Sequence, residues 1–271
     1  MDILEQINSL PDRLCTSDNF SRDNINVARV VTSNKNQPPS TGYIDLCAKG
    51  GECIRSTDPV TRFEPIIPYS NPMSKIQRHI TYVTGKSGTG KTLIACEFAK
   101  QYHQLNPDNK IFYICSTDIK DDENFGTMDY VKALDVSKFY SNTIKPDDEK
   151  ELIKRLFTNC YVIFDDLDMA PKEQKQIITR LQFKLIEVGR KFGTSIFIIS
   201  HLNTNGHQTK MLMNEIDLYI CFKEGLKKNR LLEHYQNYTQ DELRKIDTKS
   251  WVCFNFRYNC IITPTRVLIK D

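Results

Sequence analysis

Ile80-Thr81-Tyr82-Val83-Thr84-Gly85-Lys86-Ser87-Gly88-Thr89-Gly90-Lys91-Thr92 decides how the rest of this chain is read. From Gly85 onward it satisfies G-x-x-x-x-G-K-[ST], the pattern of a phosphate-binding loop. The five residues before it are β-branched and aromatic, as a buried strand requires, and Leu93 to Gln104 reads as a helix. A nucleoside triphosphate concentrates negative charge on its β/γ-phosphates. Gly85, Gly88 and Gly90 let the backbone N–H groups of Lys86, Ser87 and Thr89 turn toward such oxygens, and the helix N-terminus adds its positive dipole end. Lys91 is placed to reach the β/γ-phosphates, and Thr92 offers a hydroxyl to Mg2+. ATP and Mg2+ are the cofactors expected.

Working outward, Arg78 onward alternates strand and helix. A helix stops near Pro107, Lys110 to Cys115 reads as a strand, and a short strand is expected around Tyr130 to Leu134. Asp147 to Phe157 reads as a helix and Tyr161 to Phe164 as a strand. Pro171 opens a long helix to about Lys191, with Ile177, Leu181, Leu185 and Val188 on one face. Ile196 to Ile199 and Asp217 to Phe222 are further strands. The tail adds a helix at Asn229 to Tyr235 and strands near Ser250 to Phe256 and Arg266 to Ile269. Such alternation predicts an α/β fold: a mostly parallel sheet with helices on both faces. Residues 1–75 hold seven of the eleven prolines and little periodicity beyond Ile25 to Val31, so a partly irregular N-terminal extension is expected. The core is then 76–225, completed by a small α+β segment over 226–271.

Two acids, Asp165 and Asp166, end the apolar run Tyr161-Val162-Ile163-Phe164. A carboxylate at the C-terminal end of a parallel strand faces the crevice where such sheets bind ligands. Asp165 suits the Mg2+ shell, and Asp166 suits general-base activation of water. The pair could instead cap the turn leaving the strand. Ser200-His201 ends the next strand, where it could touch the γ-phosphate or the lytic water, or simply bond to loop backbone. Arg190, in Gly189-Arg190, could serve as an arginine finger for a neighbouring subunit, with Arg180 as second candidate. Arg190 could equally cap its helix or pair with a carboxylate.

The formal net charge is +3. From Lys223 onward there are ten Lys/Arg against six Asp/Glu, a surplus of four that fits a phosphate-backbone contact or a solvated face. No apolar run approaches the ~18 residues of a membrane span. Met1-Asp2-Ile3-Leu4-Glu5 lacks the features of a signal peptide, so an intracellular protein is expected. Nine cysteines without a CxxC pair indicate neither a disulfide framework nor a zinc ribbon. Cys47 and Cys53 would need two more ligands to hold a metal.

Taken in order, these motifs resemble the FtsK/HerA superfamily of P-loop ATPases. More narrowly, they resemble the virion genome-packaging ATPases of large double-stranded DNA viruses and virophages. Gly85 to Thr92 resembles the family's Walker A motif, and Tyr161 to Asp166 its Walker B motif. Gly189 to Ser195, running into Ile196 to His201, resembles its Gly-Arg and sensor segment. Thr209-Lys210, Asn214 to Asp217, Phe222, Arg230 to Tyr235 and Trp251-Val252 resemble its later segments. The resemblance covers about residues 76–270 and implies a RecA/ASCE-like fold that hydrolyses ATP to translocate DNA. It also implies a ring oligomer, commonly a hexamer, acting on double-stranded DNA with low sequence specificity. A capsid or portal partner and a place in the host cytoplasm, viral factory or virion follow. Asp166 departs from the glutamate usual in bacterial relatives, and Ser200-His201 from their glutamine. A GTPase is disfavoured because N-K-x-D is absent. A small-molecule kinase, or a helicase-like ATPase with no role in packaging, is the alternative.

Overall fold

The computed structural model describes residues 13–17, 25–33, 40–47, 53–55, 61–67, 78–115, 119, 122–134, 146–165, 167, 170–201, 207–226 and 229–269. Four short apolar runs become the centre of a sheet because all their side chains are buried: β6 (Ile80–Thr84), β9 (Cys160–Phe164), β10 (Ser195–Ser200) and β11 (Leu218–Phe222). A strand buried on both faces cannot alternate apolar with polar, so these segments read as continuous hydrophobic runs. With β7 (Lys110–Ile114) and β8 (Val131–Ala133) they form six parallel strands in the order β8-β7-β9-β10-β6-β11. Strand β10 is inserted between β6 and β9. Three chain ends therefore meet on one edge: the loop after β6, the acid after β9 and the polar end of β10. Register brings Ser200 level with Thr84, and Ile198 level with Phe164.

The sheet continues past β11 with β12 (Trp251–Asn255), β13 (Cys260–Thr263) and β14 (Arg266–Ile269), all antiparallel. Its last strand is β4 (Cys53–Arg55), for a total of ten. One face is covered by helices, chiefly α2 (Pro146–Phe157), α3 (Lys172–Val188), α4 (His207–Glu215), α6 (Arg230–Tyr235) and α7 (Gln240–Lys245). Ile153, Leu181, Leu185, Leu232 and Leu243 pack there against Tyr82, Val162, Phe164 and Ile198. The other face carries α1 (Lys91–Leu105) and a second sheet. That sheet has the order β1-β3-β2-β5, from β1 (Arg13–Ser17), β2 (Ile25–Thr32), β3 (Ser40–Cys47) and β5 (Thr61–Pro65), all antiparallel. Val27, Ile44, Phe63 and Ile67 share one core with Phe98, Val83, Ile199 and Ile262. Burying each such side chain contributes about 1.5–3 kcal/mol.

The N-terminal region is therefore richer in strands than its proline count suggests. In β5 only Phe63 and Pro65 are buried, and in β2 the buried pair Val27 and Ala28 is followed by Arg29, so neither strand carries a continuous apolar run. Helix α3 starts after Pro171 as expected but ends at Val188, followed by a 3-10 turn at Gly189–Phe192. Its buried stripe is Ile178, Leu181, Leu185 and Ile186, while Ile177 and Val188 are only partly covered. Helix α7 was not anticipated, although Thr239 and Glu242 form a complete capping box at its start. Strand β13 was also not anticipated. Short α5 (Lys223–Leu226) follows β11 directly. Among the described residues no helix is long and apolar enough to cross a membrane.

Candidate active site

Strand β6 delivers the chain to Gly85, where a side chain has no room. A Cβ there would lie 2.7 Å from Cδ2 of Phe222 at the end of β11. Gly88 and Gly90 have φ of 75° and 94°, the left-handed region that costs glycine nothing. The Gly85 N–H donates to the Ser200 carbonyl at 3.3 Å, and the Thr89 hydroxyl to the Lys86 carbonyl at 2.9 Å. The loop is thus pinned at its start and folded on itself before α1 begins. No side chain caps α1 at Gly90, and its first turn has no acid. The N–H groups and dipole of a 15-residue helix consequently face the loop, an arrangement suited to an anion.

Lys91 is only 6% exposed. Its Nζ donates to the carbonyls of Gly85 at 3.0 Å and Lys86 at 2.8 Å, and lies 3.4 Å from Nδ1 of His201. A buried ammonium must be paired, and these are groups that phosphate oxygens can replace. On the next residue, the Thr92 hydroxyl donates to Oδ2 of Asp165 at 3.3 Å. Asp165 is 4% exposed and its N–H donates to the Ile114 carbonyl at 2.9 Å. Tyr113 completes the cluster, its hydroxyl donating to the same Oδ2 at 3.0 Å. Burial, with the Asp165 charge adding to it, pushes the Tyr113 hydroxyl far above its ordinary pKa, so it stays a donor. A hydroxyl and a carboxylate side by side are hard oxygen ligands that fit Mg2+, which takes few protein ligands beside phosphate and water.

Lys91, Thr92, Asp165, Ser200 and His201 are thus gathered on one edge of the sheet, with Gly85 to Gly90 around them. Asp166 lies outside the described residues. Arg190 does not join this cluster. It is exposed in the turn before β10, and its charge is felt at Arg78. Arg78 precedes β6 and donates to the Ile186 carbonyl at 2.7 Å. At about 3.3 Å per residue, six-residue β10 separates that end from Ser200 by about 20 Å. Arg180 is exposed on α3. The side chains of Cys47 and Cys53 lie outside the described residues, among which no group of three or more His, Cys, Asp or Glu could hold a metal.

Sequence reasoning missed Tyr113 and Glu224. Tyr113 sits in a recognisable strand, but only the β7–β9 pairing, with Tyr113 opposite Ile163, brings its ring beside Asp165. Glu224, on α5, pairs with Lys86 at 2.8 Å across the exposed lip of the loop.

No protein-family profile matches the chain. It is 28% identical over 155 residues to uncharacterized protein V3 of Sputnik virophage, across 55% of this chain and 56% of that protein. The chain therefore spans about half the length of that relative. Among solved structures, the genome packaging NTPase B204 of Sulfolobus turreted icosahedral virus 2, in complex with AMPPCP, is similar at 12% identity. Its TM-score is 0.44, covering 72% of this chain and 98% of that one. The pCW3 conjugation coupling protein TcpA is similar at 11% identity and TM-score 0.42, over 88% of this chain and 76% of that one. The strand order and the loop after β6 make this chain's fold that of a P-loop NTPase.

Proposed function

We propose that this chain is an ATPase whose hydrolysis drives movement of double-stranded DNA, as in packaging a viral genome. One observation carries the catalytic half. The Lys91 ammonium and the Thr92–Asp165 pair converge on a loop at an uncapped helix N-terminus. Lys91 exchanges the Gly85 and Lys86 carbonyls for β/γ-phosphate oxygens. Thr92 and Asp165 would hold Mg2+, which supplies neutralisation of phosphate charge. Tyr113 holds the Asp165 carboxylate in one orientation. Asp166, next along the chain, is the residue for orienting and deprotonating the attacking water. Ser200, whose carbonyl already meets the loop, and His201, beside Lys91, are suited to sensing the γ-phosphate. Arg190 lies too far from its own loop to serve it, and we assign it to a neighbouring subunit's nucleotide.

The DNA-moving half rests on the sequence resemblance. In that reading subunits form a ring, commonly a hexamer, around the duplex and engage a capsid or portal component. Contacts go to backbone phosphates, so binding weakens steeply with salt and ignores sequence. Duplex DNA of unrelated sequences should raise ATP turnover severalfold at low salt, and sizing the assembled particle should return a ring. Turnover indifferent to DNA would leave an ATPase of another kind. Mixing Asp166→Asn with Arg190→Ala subunits tests the trans assignment. Partial recovery of activity supports it, and none refutes it.

A further inference from the structure

A cleft of about 300 Å3 opens beside the loop, and the phosphate chemistry does not use it. Thr89 and Gly90 line it, so it is continuous with the loop. Its apolar walls are Leu93 of α1, Phe222 at the end of β11 and Trp251 at the start of β12, with β5 of the N-terminal sheet opposite. Leu93, directly after the Lys91-Thr92 pair, is 58% exposed, more than any other large hydrophobic side chain among the described residues. A lone exposed leucine means nothing. Here it faces a partly buried tryptophan across a hollow that begins where the anion-binding loop ends.

The far wall is held in place. Gln101, buried in the floor, accepts from the Ile67 N–H at 3.0 Å and donates to the Pro65 carbonyl at 3.3 Å, which ties the end of β5 to α1. Glu64 of β5 holds both Arg29 and Arg62, and Arg29 reaches Glu97 of α1 at 3.4 Å. The hollow is therefore pre-formed. Its size is at the lower bound of small-ligand pockets, roughly 300–1,000 Å3. A flat ring with an apolar face suits a site walled by Trp251, Phe222 and Leu93, and a polar edge suits the charged rim of Arg62, Glu64 and Glu97.

We propose that this cleft seats the base and ribose of the nucleotide whose phosphates the loop holds, and that β5 makes the N-terminal sheet one wall of that site. The proposal presupposes the loop's triphosphate role. It assigns work to a region whose sequence suggested none. It also links base occupancy to the loop, because the Phe222 ring that lines the cleft is the one pressed against Gly85.

Trp251 is the only tryptophan of these 271 residues, so its emission reports the cleft. Titration with ATP should change that emission saturably. Inorganic tripolyphosphate should bind by calorimetry, at least tenfold more weakly, and leave the emission unchanged. Leu93→Gln, a neutral change on an exposed helix surface, should raise the Kd for ATP at least threefold and leave that for tripolyphosphate as it was. Equal emission changes from both ligands, or equal weakening of both by Leu93→Gln, would overturn the cleft assignment while keeping the loop. Binding of neither ligand would instead overturn the loop reading, and the cleft proposal with it.

Discussion

Lys91 and Asp165 are charged groups held almost out of water, and their partners explain why that is tolerable. Lys91 has two carbonyls, and Asp165 has the hydroxyls of Thr92 and Tyr113. Removing either charge should act on binding more than on folding. Lys91→Ala should abolish ATP binding measurable by calorimetry while the thermal unfolding midpoint stays close to wild type. Tyr113→Phe is the finer test. It deletes one donor to a buried carboxylate, worth about 1 kcal/mol, or roughly fivefold in an equilibrium. Because the carboxylate keeps other lone pairs for a metal, the loss is of orientation rather than of a ligand. The Mg2+ concentration for half-maximal turnover should rise about fivefold, and metal-free nucleotide affinity should hold. A Mg2+ profile identical to wild type would remove Tyr113 from the site's machinery.

At the scale of elements, the approach to β6 carries a titratable defect. His79 is fully buried against Tyr161, with ring centroids 5.3 Å apart, and its Nε2 has no hydrogen-bond partner. Burial, then the nearby Arg257 and Arg78 charges, push its pKa down from 6.5 to about 3. Between those values the unfolded chain binds a proton that the folded chain refuses. Stability is accordingly complete above pH 6.5 and is lost as pH falls toward 3, by about 1.4 kcal/mol per pH unit. Denaturant unfolding should show about 2 kcal/mol less stability from this group at pH 5 than at neutral pH. His79→Gln should flatten that segment of the profile. Nearby, Asp217 accepts from the Ile80 N–H at 2.7 Å and from Arg257 at 2.7 and 3.0 Å, which joins β6, β11 and the turn after β12. Asp217 was expected inside β11, but its side chain is needed at this junction and the strand begins one residue later.

Across the whole molecule, the N-terminal sheet is built into the core of the P-loop fold. Phe63 is 3% exposed, its N–H donates to the Pro264 carbonyl at 2.9 Å, and β4 extends the main sheet beyond β14. Truncation of Phe63 removes apolar area from the core shared with Phe98 and Ile262. Phe63→Ala should cost about 3–5 kcal/mol in denaturant unfolding, in a single transition for both sheets. Separate transitions would mean that the sheets fold as independent units.

The loop from Gly85 to Thr92, the acid after Tyr161 to Phe164 and the alternation of strand and helix were all legible in sequence. Each is a local pattern, because a phosphate loop needs glycines at fixed short spacing and a buried parallel strand needs a contiguous apolar run. Tyr113 beside Asp165, Arg190 remote from its own loop, and the cleft between β5 and Trp251 were decided by strand order alone. Insertion of β10 between β6 and β9 sets which chain ends meet, and that choice reflects packing of the whole sheet rather than any one stretch of residues. Of the N-terminal strands only β2, at Ile25 to Val31, had a readable pattern: Val27, Ile44 and Phe63 are buried against a face of α1 and the main sheet that no local pattern in residues 1–75 contains.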